Sequence, residues 1–249
     1  WSKDFYEVPQ GSKASDQRET TVRAKVVLVA GGLAGVAFRH DPELRSAAAP
    51  TARIGAGAEA TDTSDSYEPG TIFMATHRAG YVGLVRTETG SLNVAAALDP
   101  RFVTAAGGLG LAAAEIVRSA GFPAEGLSDL DWSGTPPLTR RPTAVAAERV
   151  FLIGDAAGYV EPFTGEGIGW AVRSANAVVP LVRQGVEGWS PELSAAWTAT
   201  HRRAIGRRQR LCRFVAAGLR SPAAVAAAVR VLGPFPSAAG PVLRHLAAT

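Results

Sequence analysis

Residues 148–178, "ERVFLIGDAAGYVEPFTGEGIGWAVRSANAV", hold the side chains whose types and spacing could do chemistry together. Gly154 and Asp155 close the apolar run from Val150 to Ile153, at the carboxyl end where ligands bind in open α/β sheets. Gly154 lets a ligand approach the backbone, and Asp155 is an acceptor for the hydroxyl of a sugar or sugar alcohol. Further on, Pro162, Gly165, Glu166, Gly167 and Ile168 open a long helical pattern. Glycines at such a helix N-terminus leave its backbone N–H groups accessible, and the helix dipole there favours negative charge.

One kind of ligand asks for both features: a polyhydroxyl chain joined to a ring that becomes anionic on reduction. A flavin fits. Asp155 would hold the ribityl chain, and the N–H groups of Gly165 to Ile168 would face the N1/C2 carbonyl edge and stabilise charge on the reduced ring. No side chain stands out as the catalytic acid or base. Glu166 either faces the ring or simply complements the dipole. Tyr159 and Phe163 flank the loop, where they cover the ring or pack beneath it. Trp170, one turn into the helix, lines a substrate pocket or fills the core.

These residues need elements to position them. Val150 to Ile153 reads as a central strand buried on both faces. A long helix follows from about Gly165 to Val182, with Pro180 inside the pattern; Ile168, Ala171, Val172, Ala175, Val178, Val179 and Val182 mark its buried face. Upstream, residues 24–30 form another buried strand. "TARIGAGAEAT" and residues 70–99 carry several short strands, with Thr87-Glu88-Thr89-Gly90 as a hairpin turn. Strands joined by tight turns imply an antiparallel sheet able to cover a ligand on one face. His77 and Tyr81 lie on it and would meet substrate if they point inward. A helix begins near Leu109 and ends at Gly121 and Pro123. "DWSGTPPLTRRPTAV" is extended, and its Arg140 and Arg141 either anchor an anion or lie on a solvated strand. From about Pro191 the chain reads as two or three helices, broken at Ser221-Pro222 and at "GPFPSAAGP".

"GDAAGYVEPFTGEGI" resembles the second flavin-binding motif of the geranylgeranyl-reductase-like branch of FAD-dependent oxidoreductases, relatives of the p-hydroxybenzoate hydroxylase fold. Gly154 to Gly158, Pro162 and Thr164 to Ile168 supply that motif. "GTPPLTRRP" and "GYVGLVRTETGSLNVAAALD" are similar to the same branch, the latter to its substrate sheet. The resemblance implies FAD as cofactor, NAD(P)H or another donor as electron source, and a lipophilic substrate such as an isoprenoid whose double bond is reduced. A monooxygenase hydroxylating an aromatic or polyketide substrate is the close alternative.

The same resemblance bears on "VRAKVVLVAGGLAG" (residues 22–35). Its β-branched run and glycines suggest a pyrophosphate-binding turn, but a long amphipathic helix should follow such a turn, and Pro42 and Pro50 interrupt the sequence there. In the resembled family a strand ending Ala-Asp-Gly, with an Arg beyond, precedes the substrate sheet. Ala30-Gly31-Gly32 and Arg39 are similar, with Gly31 where the Asp stands. The Gly-rich βαβ turn for the ADP half of FAD is then expected upstream of Trp1. A third reading is a non-catalytic remnant or binding protein.

The expected architecture is α/β: a partial flavin-binding domain with a parallel sheet, an antiparallel-sheet substrate domain and a C-terminal helical tail. The divisions fall at 1–38 (middle strand motif), 39–147 (substrate domain), 148–186 (return to the FAD-binding domain) and 187–249 (helical region).

Composition narrows the rest. With 47% hydrophobic and 19% charged residues over 249, the chain is ordinarily globular. Cys212 is the sole cysteine, which excludes a disulfide framework and fits a reducing, cytoplasmic compartment; it reads as a small core hydrophobe. His40, His77, His201 and His245 are scattered, so no metal site is expected. No apolar run is long enough for a transmembrane helix. Residues 201–249 carry nine arginines and no Asp or Glu. They are interleaved with Leu, Val and Ala rather than with aromatics, which argues against nucleic acid. The alternatives are a solvated basic helix and peripheral contact with an anionic membrane.

Overall fold

The computed structural model describes residues 6–9, 21–33, 42–61, 66–161, 165–218, 220–234 and 240. Pro162, Phe163, Thr164 and Arg39 lie outside the described residues.

An antiparallel sheet occupies the middle of the chain. Its strands are β5 (Ile54–Ala60), β6 (Ile72–His77), β7 (Gly80–Arg86), β8 (Leu92–Leu98) and β9 (Ser133–Pro137), in the order β6-β7-β8-β5-β9. The expected turn joins β7 to β8, closed by Thr87 N–H donating to the Ser91 carbonyl at 2.8 Å. Alternation sorts the side chains. Ala75, Val82, Leu84, Val94 and Leu98 are buried on one face, beneath α2 (Leu109–Ser119) and its Ala112, Ile116 and Val117. Before α2 lies a helix not anticipated from the sequence, α1 (Pro100–Ala106). Its signal is the Asp99-Pro100 pair: the Asp99 carboxylate accepts from Arg101 N–H at 2.8 Å, and proline suits a first helical turn.

The second face of the sheet is set by the register. Tyr81 pairs with Thr76 and Ala97, Gly83 with Met74 and Ala95, and Gly55 and Gly57 with Ala97 and Ala95. This face is floored by small residues and carries Tyr81 at one end.

A second, smaller sheet places β12 (Val150–Leu152) between β11 (Ala146–Ala147) and β3 (Val27–Val29). The pair β12–β3 is parallel, and all of β12 is buried. Strand β3 is less so: Leu28 is 44% exposed, because among the described residues β3 pairs only with β12. Two shorter pairs complete the strands, β1 (Tyr6–Pro9) with β2 (Thr21–Ala24) and β4 (Ser46–Ala48) with β10 (Arg140–Pro142).

Helix α3 (Gly167–Glu187) packs on the smaller sheet together with α4 (Glu192–His201). It starts two residues later and ends five later than its apolar pattern suggests, running through Pro180. Its buried stripe also differs. Trp170, Ser174, Val178 and Gly185 face inward, whereas Ile168, Val172 and Val179 are exposed. The reason is local. A methyl at Gly185 would meet Val26 at 3.0 Å and Trp189 at 3.2 Å, tighter than ordinary contact, so glycine eases that approach, and Ser174 turns inward to satisfy a backbone donor. Beyond α4, a π-helical turn Arg202–Gly206 leads into α5 (Arg207–Gly218), and Ser221 caps α6 (Pro222–Leu232). Among the described residues no single helix is long and apolar enough to cross a membrane.

Candidate functional site

The loop from Gly154 to Glu161 leaves the end of β12 as a 3-10 turn, Gly154–Ala157, and is tethered by α3, α5 and the segment around Arg140. Gly154 N–H donates to Ser174 Oγ of α3 at 2.8 Å. Tyr159 exchanges two backbone hydrogen bonds with Arg140, at 2.9 and 3.0 Å. Gln209 of α5 donates to the Gly158 carbonyl at 3.0 Å. Glu161 N–H reaches Thr139 Oγ1 at 3.5 Å. A loop held from three sides presents its side chains with little freedom, as a binding site requires.

Two glycines permit its shape. Gly154 has φ 57° and Gly165 has φ 75°, left-handed values that side chains with a Cβ rarely adopt. At Gly165 a Cβ would meet nothing within 4 Å, so the space there is open. Helix α3 begins two residues on with Glu166 at its N-cap, and the Glu166 side chain makes no capping hydrogen bond. The first-turn N–H groups thus keep their positive end directed outward. Ile168 stands on this turn and is 81% exposed.

Asp155 is half-buried, and burial raises its carboxyl above the usual carboxylate range. Tyr159 lies against the start of α3, where a methyl at Gly167 would come 3.6 Å from its ring. Burial, with Asp155 and Glu161 nearby, pushes the Tyr159 phenol up to about 12, so it stays protonated and able to donate. Gly154, Asp155, Tyr159, Gly165, Gly167 and Ile168 all lie at this junction of loop and helix. Pro162 falls outside the described residues.

Three other candidates sit differently. Glu166 turns its carboxylate away from the open turn: Oε2 accepts from Trp170 Nε1 at 3.2 Å, and Cys212 Sγ lies at 3.8 Å. Trp170 is accordingly buried, packed with Val160, Ile205 and Cys212. It is a core residue joining α3 to the C-terminal helices, and the backbone of Glu166 is what remains for a ligand. His77 points to the helix-covered face of the large sheet, stacked 5.4 Å from Phe102. Tyr81, which shared its sequence argument, points the other way.

On that other side lies a group that the spacing of motifs did not single out. Arg53 Nη1 donates to Glu161 Oε1 at 2.9 Å, with both side chains buried to within 2%. The Arg53 guanidinium sits 5.6 Å above the Tyr81 ring, and Arg53 also donates to the Arg78 carbonyl at 3.4 Å. Burial, then the Glu161 charge, raises the Tyr81 phenol far above its ordinary value. A signal existed for both partners. Arg53 is a lone charge opening the apolar run "IGAGA", and Glu161 lies inside the quoted flavin-like motif. Of the two other cations considered, Arg140 Nη2 donates to the Ser46 carbonyl at 3.0 Å, and Arg141 is exposed. Among the described residues no cluster of His, Cys, Asp or Glu is arranged to hold a metal ion.

No family model matches the chain, and no curated protein matches it by sequence. Solved structures do, and the fold they define is that of flavin-dependent halogenases and related flavoproteins. CmlS, a flavin-dependent halogenase, superposes with a TM-score of 0.64 at 19% identity, covering 88% of this chain and 40% of its own. The Diels-Alderase PyrE3 of pyrroindomycin biosynthesis gives 0.63 at 17% identity, covering 100% and 51%. A flavoprotein/dehydrogenase from Cytophaga hutchinsonii gives 0.57 at 14% identity, covering 70% and 44%. The chain thus spans about half or less of the length of these proteins. The likeness extends to the fold, including the large sheet and the C-terminal helices.

Proposed function

We propose that this chain is the substrate-sheet and cofactor-return portion of an FAD-dependent oxidoreductase acting on a lipophilic or aromatic small molecule. The observation that carries the reading is the junction of the Gly154–Glu161 loop with α3. There a half-buried carboxylate, Asp155, lies beside a helix N-terminus left uncapped by its own Glu166. The residues fit the group: Asp155 accepts ribityl hydroxyls, Gly154 and Gly165 admit the cofactor to the backbone, and the first turn of α3 favours negative charge at the ring. Bound flavin would supply the redox chemistry, with NAD(P)H or another donor as electron source. The chain's own residues orient the cofactor and exclude water around it.

The motif wording favours reduction of an isoprenoid-like double bond. The likeness of the fold to flavin-dependent halogenases supports a monooxygenase-type reaction on an aromatic or polyketide substrate. Product analysis with the flavin-loaded protein separates the two. Oxygen from labelled O2, or a halide, in the product supports the monooxygenase-type reading. Anaerobic turnover with loss of a C=C supports the reductase. Absence of flavin binding would support the remnant reading.

A cytoplasmic location at the membrane periphery suits such a substrate. Helix α5 presents Arg207, Arg210 and Arg213 outward beside Phe214, which is 78% exposed. This basic, aromatic face supports contact with an anionic bilayer. Salt-sensitive co-sedimentation with anionic vesicles, lost in Phe214→Ser, is the expected result; equal recovery with neutral vesicles would refute it.

A further inference from the structure

Three arginines far apart in the sequence come together beside the ribbon of β4 and β10. In that ribbon Arg141 pairs with Ala47, and its neighbour Arg140 pairs on the other edge with Tyr159. The loop therefore runs alongside β10, so close that a methyl at Gly158 would meet Pro142 at 3.2 Å. Helix α5 is fixed across this region at two points. Gln209 Nε2 donates to the Gly158 carbonyl at 3.0 Å, and Arg220, just beyond the helix, donates from Nη2 to the Thr51 carbonyl at 2.9 Å. Arg213 follows Gln209 by one helical turn and so shares its side of α5, with Arg210 as its i,i+3 neighbour.

The three meet without an opposing charge. Partial burial first, then the charges of Arg141 and Arg210, pull the Arg213 guanidinium below its ordinary value. Among the described residues none of the three guanidiniums has a hydrogen-bond or carboxylate partner. Like charges at this spacing on a helix cost stability, and residues 201–249 contain no Asp or Glu to offset them. A cluster of this kind is completed by an anion. Phosphate matches it better than carboxylate does, because each planar guanidinium offers paired N–H donors and a phosphate group presents three oxygens to three such forks.

We propose that Arg141, Arg210 and Arg213 form a binding site for a phosphate group, held between β10 and α5. The phosphate is carried by a soluble compound or by a lipid headgroup; the chemistry of recognition is the same for both. The inference does not rest on the flavoprotein reading.

The test has two arms. Inorganic pyrophosphate is titrated calorimetrically into the full chain at fixed ionic strength, and the chain is sedimented with phosphatidylcholine vesicles with and without phosphatidic acid. Saturable binding of pyrophosphate supports a soluble ligand, and sedimentation that requires phosphatidic acid, without a response to pyrophosphate, supports a headgroup. In either arm Arg141→Gln, Arg210→Gln and Arg213→Gln should each weaken binding by about tenfold or more, the loss expected for hydrogen bonds between charged groups. Arg101→Gln on α1 removes the same net charge elsewhere and should change binding by less than about twofold, because exposed charges at a distance are screened. Melting of the anion-free chain separates a binding role from a structural one. Arg213→Gln relieves repulsion and should raise the melting temperature by about 1 °C. Binding of neither probe, an equal loss in Arg101→Gln, or a lower melting temperature for Arg213→Gln would overturn the proposal.

Discussion

Arg53 and Glu161 lie 108 residues apart in the sequence and 2.9 Å apart in the fold, joined by an ion pair almost wholly removed from water. The pair ties the start of β5 in the large sheet to the end of the Gly154–Glu161 loop. Removing one partner of such a pair strands the other. Arg53→Met should therefore cost about 3–5 kcal/mol of stability. The double variant Arg53→Met/Glu161→Leu should recover most of that loss. Urea unfolding of both variants checks the relationship, and equal losses would mean that the ion pair does not hold the two parts together.

Ser174 of α3 bonds the Gly154–Glu161 loop through Gly154 N–H. Ser174→Ala leaves that donor without its acceptor and should cost about 1–3 kcal/mol. Flavin affinity should fall with it, because the loop is no longer held against the helix. Ser174→Thr, which keeps the hydroxyl, should lose less. Fluorescence titration of the two variants gives the comparison.

Gly165 and Gly169 lie four residues apart, each with open space where a Cβ would go, but their backbones differ. Gly165 is left-handed and Gly169 is helical. Gly165→Ala should destabilise by about 1–2 kcal/mol and weaken flavin binding. Gly169→Ala should stabilise by up to about 1 kcal/mol. Thermal melts of the pair would show opposite signs.

His201 ends α4 in a buried position against Trp197, and burial lowers its imidazole to about 4. The folded state thus resists protonation that the unfolded chain accepts near the ordinary histidine value of about 6.5. The sign follows: stability is complete above about pH 6.5 and drains away as pH falls toward 4. Asp155, raised by burial, acts in the opposite sense. Replacing His201 with Phe should flatten the fall in urea midpoint between pH 6.5 and 4, and an unchanged slope would show that His201 is not its source.

The readable parts of this fold were those governed by local rules. The hairpin at Thr87–Gly90, the start of α2 at Leu109 and the strand Val150–Leu152 each follow from turn residues or a short apolar run. The loop–helix junction was legible for the same reason, since Gly154, Asp155, Gly165 and Gly167 are close in sequence. The buried face of α3 was legible only in part, at Ala175, Val178 and Val182. Its apolar residues make more than one stripe at helical spacing, and small residues whose backbone must approach a neighbour or whose hydroxyl must satisfy a donor, Gly185 and Ser174, decided which turned inward. Glu166 and Trp170 kept two readings each in the sequence, because Cys212 and Ile205, which pack against them, come from distant sequence. The same holds for Arg53 and Glu161, where long-range pairing leaves no periodic trace.

Asp155 is the most direct probe of the loop–helix junction as a flavin site. Titrating FAD and riboflavin into the native chain and into Asp155→Ala, with flavin absorbance and fluorescence followed, tests it. The native chain should bind both with a resolved spectral shift. Asp155→Ala should bind about tenfold or more weakly, the loss expected for a hydrogen bond to a charged acceptor. No binding by the native chain, or identical binding by the variant, would contradict the assignment.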